Sequence, residues 1–231
     1  MTKQYRTLSL REREILRYAG CRTEEEEMVR LMQECLQEAE RCGVLSGQVC
    51  YIELPVRTEA NLQNDFGSFA VCSEQLAKNL EGCKRVLLLA ATAGVGIDRL
   101  IEKYGRIAPS KALMLQAIGA ELVETICDRF GKEYEAEHNC ILRPRFSPGY
   151  GDLPLETQKA IFAVLEPARR IGLTLNDSLL MSPSKSVTAF AGITDCDVTE
   201  ASYASSESEA DEMQRKCRDC GKQDCAFSCG R

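Results

Sequence analysis

The sequence predicts an α+β fold. Segments of strand character and segments of helical period alternate irregularly along the chain, and few of them form the strand–helix–strand units of a doubly wound parallel sheet. Length sets the scale: 231 residues, 44% of them hydrophobic, can bury a real core in one large domain or in one domain with appendages.

Thr23 followed by Glu26 forms a capping box, and Met28, Met32, Cys35, Ala39 and Cys42 then recur at helical spacing, which predicts a helix from about Glu24 to Cys42. Gly43 and Gly47 end it, and Gln48 to Val56 reads as a strand. Pro55 has no N–H to give to a ladder and places that strand near a sheet edge. Val86 to Ala91 reads as a buried strand, followed by Gly94-Val95-Gly96 and a helical segment from Ile97 to Tyr104. This G-x-G is a weak dinucleotide signal, because Arg99 stands where the third glycine of the fingerprint belongs. Pro109 and Ser110 open a longer helix to about Phe130, with Leu115, Ile118, Leu122 and Ile126 on one face.

Cys140 to Arg143 reads as a short strand, and Leu155 to Arg170 as a helix with Pro167 in its last turn or just past it. Ile171 to Ser178 reads as a short strand and turn, and Ser186 to Ile193 as a further strand. From Asp195 to Lys216 the chain carries seven acidic residues and four serines with few apolar side chains, a composition that cannot offset ordering entropy and reads as a flexible linker. The tail KCRDCGKQDCAFSCGR follows it.

A net charge of −6 and a pI near 5.1, with no cluster of Lys and Arg, argue against a nucleic-acid groove. The charged N-terminus lacks the apolar core of a signal peptide, and the longest apolar stretch, Val86 to Ile97, is too short to span a bilayer, so a cytoplasmic protein without membrane association is expected. Nine of the 13 cysteines are scattered through core-competent segments and read as reduced, small apolar side chains.

Two constellations could carry chemistry. In Arg143 to Tyr150, RPRFSPGY, Pro148 fixes φ, Gly149 lets backbone approach a ligand, and Tyr150 offers an aromatic face with a polar tip. Arg145 can fork onto a carboxylate, so the segment suits a small anionic or zwitterionic molecule; a plain surface connection is the alternative. In the tail, Cys217, Cys220, Cys225 and Cys229 form a C-x2-C-x4-C-x3-C array whose thiolates a tetrahedral zinc or an iron–sulfur cluster could gather. Chance clustering in a cysteine-rich chain is the alternative there. The single histidine, His138, sits in the polar context EAEHNC and reads as a solvated loop residue, so no triad is expected. Carboxylate pairs such as Glu24 and Glu27 read as a solvated face at a helix N-terminus.

At RFSPGYGDLPL, taken with LTLNDSLLMSPSKSVTAFAGI downstream and with ILRYAG, LAATAGVGIDRL and AIGAELVE upstream, the sequence resembles the activation domain of cobalamin-dependent methionine synthase in its stand-alone form. The resemblance runs to Gly192 and stops at the acidic linker. It implies a helmet-like α+β domain, with residues 1–80 as its N-terminal helical and strand part and 81–194 as the ligand-binding core, before the linker at 195–216 and the tail at 217–231. It implies S-adenosylmethionine as ligand, contacted by Arg145, Ser147 and Tyr150, with Pro148 and Gly149 forming the turn that cradles it. The implied role is reductive methylation of the cob(II)alamin form of a partner methionine synthase lacking its own activation domain. Flavodoxin or ferredoxin would be the electron donor. The partner would supply the cobalamin, since the lower-ligand motif D-x-H-x-x-G is missing. No residue of this chain need act as a general acid or base.

Two features depart from the family. The fused enzymes use an aspartate in an early D-W-x-P-F type segment, for which no counterpart is assigned, and they lack the cysteine tail. Two other classes stay open: a small-molecule S-adenosylmethionine-dependent methyltransferase, and a metal or redox adaptor acting through the tail.

Overall fold

The computed structural model describes residues 1–21, 25–58 and 62–195. The linker from residue 196 on, and Cys217, Cys220, Cys225 and Cys229, lie outside the described residues. In chain order the elements are β1 (Thr2–Tyr5), α1 (Glu12–Tyr18), α2 (Glu26–Arg41), β2 (Gly47–Pro55), β3 (Arg57–Thr58), β4 (Gln63–Asp65), β5 (Ala70–Cys72) and α3 (Glu74–Asn79). There follow β6 (Arg85–Thr92), α4 (Val95–Ile107), α5 (Pro109–His138), β7 (Cys140–Leu142), α6 (Thr157–Leu165), α7 (Pro167–Ile171), β8 (Thr174–Leu175), β9 (Met181–Ser182) and β10 (Ser186–Asp195). The largest sheet has five strands in the order β1-β2-β6-β10-β7. β1 runs antiparallel to β2, with Thr2 opposite Cys50, and β7 antiparallel to β10, with Leu142 opposite Ile193. Strands β3, β4 and β5 form an antiparallel meander, and β8 and β9 a small pair. The class is α+β, as the irregular alternation of elements predicts.

The chain forms two compact units, each assembled from three sequence segments. The first comprises 1–52, 89–132 and 161–188. Its apolar residues Ile15, Met32, Ile97, Ile118, Leu122 and Ile126 are buried, and the rings of Tyr51 and Phe130 meet at 4.8 Å. Glu121 is fully buried there, yet satisfied: the Arg11 Nε donates to it at 2.8 Å and the Thr125 hydroxyl at 3.0 Å, so the buried charge is paired. The second unit comprises, among the described residues, 53–88, 133–160 and 189–195. Phe66, Leu76, Leu80, Leu87, Tyr134 and Phe190 fill it, and the Tyr134 hydroxyl donates to Glu53.

Several elements depart from what the sequence predicts, each for a local reason. The helix read from Leu155 to Arg170 is two helices: Pro167 cannot donate to the turn before it, Glu166 adopts a left-handed φ of 48°, and α7 begins afresh with Pro167 in its first turn. Ile171 belongs to α7, which leaves only Thr174–Leu175 of the predicted 171–178 segment as strand. The helix ending near Phe130 continues to His138. His138 is therefore not a loop residue; it lies in the last turn of α5, stacked on Tyr134 at 4.1 Å, with Nδ1 2.9 Å from the Tyr134 carbonyl. β2 is the second strand of the sheet, next to the edge strand β1, which pairs only with Gly47–Cys50; Pro55 is the last residue of β2, beyond that pairing. Thr23 lies outside the described residues; α2 opens after Glu25 without a side-chain cap, and Glu26 and Glu27 in its first turn complement the helix dipole. Asp195 is the last residue of β10, opposite Cys140 and ion-paired to Arg85 at 2.8 Å.

The Gly94-Val95-Gly96 turn has a packing explanation. Gly94 caps α4 at φ 76°, and a Cβ on Gly96 would stand 2.7 Å from Val44 Cγ1. Both glycines are needed for backbone shape and close packing without any nucleotide.

Candidate functional site

The RPRFSPGY segment belongs to the second unit and is built outward from the sheet. Beyond β7, the Arg143 N–H donates to the Gly192 carbonyl at 2.8 Å, and Phe146 exchanges both of its backbone hydrogen bonds with Phe190, each at 2.8 Å. This bridge fixes Phe146 against β10. Arg145 and Ser147, flanking it at i and i+2 of an extended stretch, share the face opposite to Phe146. Both are half-buried.

After Ser147 the chain turns sharply. The Tyr150 N–H donates to the Ser147 carbonyl at 3.1 Å, the Gly149 N–H to the Leu153 carbonyl at 2.9 Å, and the Leu153 N–H to the Tyr150 carbonyl at 3.0 Å. Pro148 is buried and anchors the turn, while Gly149 holds a φ of 87° that L side chains rarely adopt. Tyr150 follows, 55% exposed, so a large aromatic face is presented to solvent from a rigid base. Ser147, Pro148, Gly149 and Tyr150 thus form one hydrogen-bonded turn, with Arg145 two residues upstream on a pinned strand. A guanidinium and an exposed ring on such a frame suit a molecule that carries both a carboxylate and an apolar or cationic part.

Helix α3 holds both ends of this loop, which sequence reasoning did not foresee. The Asp152 carboxylate accepts hydrogen bonds from the Ser73 hydroxyl at 2.5 Å and from the N–H groups of Glu74 at 2.6 Å and Gln75 at 3.3 Å. Burial pushes the Asp152 carboxyl up, but these bonds outweigh it and hold its pKa below the ordinary aspartate value. At the other end of α3, the Asn79 amide donates to the Pro144 carbonyl at 3.1 Å, and Arg143 reaches the Glu81 carbonyl at 3.4 Å.

The end of β4 and the turn after it, Asp65-Phe66-Gly67-Ser68-Phe69, pack on Phe190, the residue that also holds Phe146. Phe66 is fully buried, its ring stacked on Phe190 at 5.0 Å, and Phe69 lies 6.2 Å from the same ring. Asp65 is half-buried and accepts from the Gly67 N–H at 2.8 Å. An aspartate followed by aromatics at the first and fourth positions has the spacing of a D-W-x-P-F segment. Phe66 stands at the tryptophan position and Ser68 at the proline position, so the match is in spacing and in Asp65 and Phe69 alone.

Among the described residues no group of three His, Cys, Asp or Glu is placed to hold a metal, and no helix is long and apolar enough to cross a membrane.

No family model matches the chain, and no curated protein matches it in sequence. Among solved structures, the chain is similar to a crystal structure of the MetH reactivation domain bound to AdoHcy. The TM-score is 0.57 at 15% identity, covering 94% of this chain and 85% of that one. The chain has the fold of that domain.

Proposed function

We propose that this protein binds S-adenosylmethionine at the Arg145–Tyr150 loop and supports reductive methylation of the cob(II)alamin form of a partner methionine synthase. The observation that carries the reading is the loop itself. It presents Arg145 and an exposed Tyr150 from a pinned, hydrogen-bonded base on a fold shared with a domain whose crystal structure holds AdoHcy, the product that S-adenosylmethionine leaves on giving up its methyl group.

In this reading Arg145 takes the ligand carboxylate, the Ser147–Gly149 turn cradles the amino and adenosyl parts, and Asp65 fills the place of the family's aspartate against the ligand's cationic end. Tyr150 lies over the methyl sulfonium, on the side where the partner docks. The partner's cobalamin supplies the methyl acceptor once an external donor, flavodoxin or ferredoxin, has delivered one electron to it. This chain supplies position and a dry interface, and no proton transfer is asked of it. A cytoplasmic location follows from such a partner.

Isothermal calorimetry of the full chain with S-adenosylmethionine tests the reading. Binding of one equivalent is expected, and absence of any heat at ligand concentrations up to the millimolar range would remove it.

Tyr150→Phe should leave affinity within about a factor of three, because the ring packs and the hydroxyl adds at most one modest hydrogen bond in an exposed position. Methyl transfer to the partner should nevertheless slow, since the hydroxyl is the part of Tyr150 that reaches the reacting face. Equal single-turnover rates for the two proteins would show the hydroxyl to be dispensable.

The tail is proposed as a separate metal-binding appendage. Cys217, Cys220, Cys225 and Cys229 are a donor set that suits zinc or an iron–sulfur cluster, and they follow a stretch too polar to need a core. Deleting the chain from Asp197 onward should leave folding and S-adenosylmethionine binding intact while removing any stoichiometric zinc or iron. Protein purified anaerobically without chelators and found free of metal would make the tail a cluster of thiols.

A further inference from the structure

We propose that α3 is a clamp that sets the position of the Arg145–Tyr150 loop, with Asp152, Ser73 and Asn79 as its positioning residues. This rests on the reading of that loop as the ligand site. The six residues of α3 span about 9 Å, and the loop is tied to the helix at both ends of that span. Where the chain enters the loop, Asn79 holds the Pro144 carbonyl; where it leaves, Asp152 takes the Ser73 hydroxyl and the N–H groups of Glu74 and Gln75. A third first-turn N–H of α3, that of Leu76, is taken by the Ser73 side chain. The helix start is therefore occupied by protein groups. What it binds is the exit of the loop.

The geometry makes Asp152 more than an ordinary helix cap. It lies two residues after Tyr150, and Gly151 between them holds a φ of 54° and lies so close to α3 that a Cβ there would collide with Gln75 Oε1, so a shift of Asp152 is passed to the backbone that carries Tyr150. A carboxylate is the right group because it accepts with both oxygens. Asparagine offers one acceptor and turns two donors toward donors. The Phe146–Phe190 bridge fixes the loop along the sheet, and α3 fixes it across the sheet, which removes the remaining freedom of the segment between them.

The test compares Asp152→Asn, Asn79→Ala, Ser73→Ala and Ser73→Thr in the full chain, by calorimetry with S-adenosylmethionine and by hydrogen exchange of the peptide covering 143–153. Asp152→Asn should weaken the ligand about tenfold and speed exchange in that peptide by about the same factor, while strands β6 and β10 keep wild-type protection. Ser73→Ala should do part of this and Ser73→Thr should restore it, since only the hydroxyl differs in kind. Asn79→Ala keeps the test open if Asp152→Asn fails to fold, because it loosens the other end of the loop alone. Unchanged affinity and unchanged exchange in Asp152→Asn and Asn79→Ala overturn the clamp. Faster exchange in the variants of a protein whose wild type binds no S-adenosylmethionine upholds the clamp and removes the ligand reading instead.

Discussion

Replacing Phe190 by alanine should cost about 3–5 kcal/mol of folding stability, the usual loss for an aromatic ring deleted from a closed core. Phe190 is fully buried, its ring is stacked on Phe66 at 5.0 Å and lies 6.2 Å from Phe69, and its backbone holds Phe146. Deletion of the ring removes the surface on which Phe66 and Phe69 rest, next to the backbone bridge that holds Phe146. Against a total of about 5–15 kcal/mol for a typical domain, the variant should unfold at markedly lower urea. Phe190→Leu keeps most of the volume and should lose much less. If Phe190→Ala shifts the urea midpoint no more than a surface substitution, the aromatic cluster does not support the site.

Arg145→Ala should weaken S-adenosylmethionine by about 1.5–3 kcal/mol, the worth of a charge-assisted hydrogen bond, which is roughly tenfold to a hundredfold in affinity. Arg145 is half-buried and its neighbour Phe146 is bridged to Phe190, so the backbone that carries the guanidinium is already placed before the ligand arrives. Arg145→Lys keeps the charge and loses the planar fork, and should fall between wild type and alanine. Folding stability should change little in either. Calorimetry on the three proteins decides the matter: equal affinities would take Arg145 out of the site.

The class of the fold and most of its elements were legible in the sequence because they rest on helical periodicity or on apolar runs of strand length. The long α5 carries buried Leu115, Ile118, Leu122 and Ile126 at helical spacing, whereas β6 and β10 show as continuous buried runs of strand length. What was not legible was short or shared. Strands β3 to β5 and helix α3 are two to six residues each, too few for a period to show, and α3 acquires its role only because Asp152, far along the chain, comes to its N-terminus. The break at Glu166 was half legible: Pro167 announced it, but only a left-handed residue before the proline splits one helix into two.

The candidate site divides in the same way. The turn Ser147–Tyr150 could be read locally, because proline, glycine and tyrosine state their backbone and surface requirements in sequence. The packing of Phe66 and Phe69 on Phe190 has no local signal at all. Gly94 and Gly96 carried a misleading signal; their glycines serve the cap of α4 and the contact with Val44.

The proposed role as a whole is tested most directly by mixing the protein with a cobalamin-loaded methionine synthase that lacks its own activation domain, in the presence of S-adenosylmethionine and a one-electron reductant, and following the corrinoid spectrum. The cob(II)alamin absorbance should give way to that of methylcobalamin with the wild-type protein, more slowly with Arg145→Ala, and not at all without protein or without S-adenosylmethionine. A spectrum that stays at cob(II)alamin, with a protein shown by calorimetry to bind S-adenosylmethionine, would contradict the role in reactivation and leave a ligand-binding domain with a different partner.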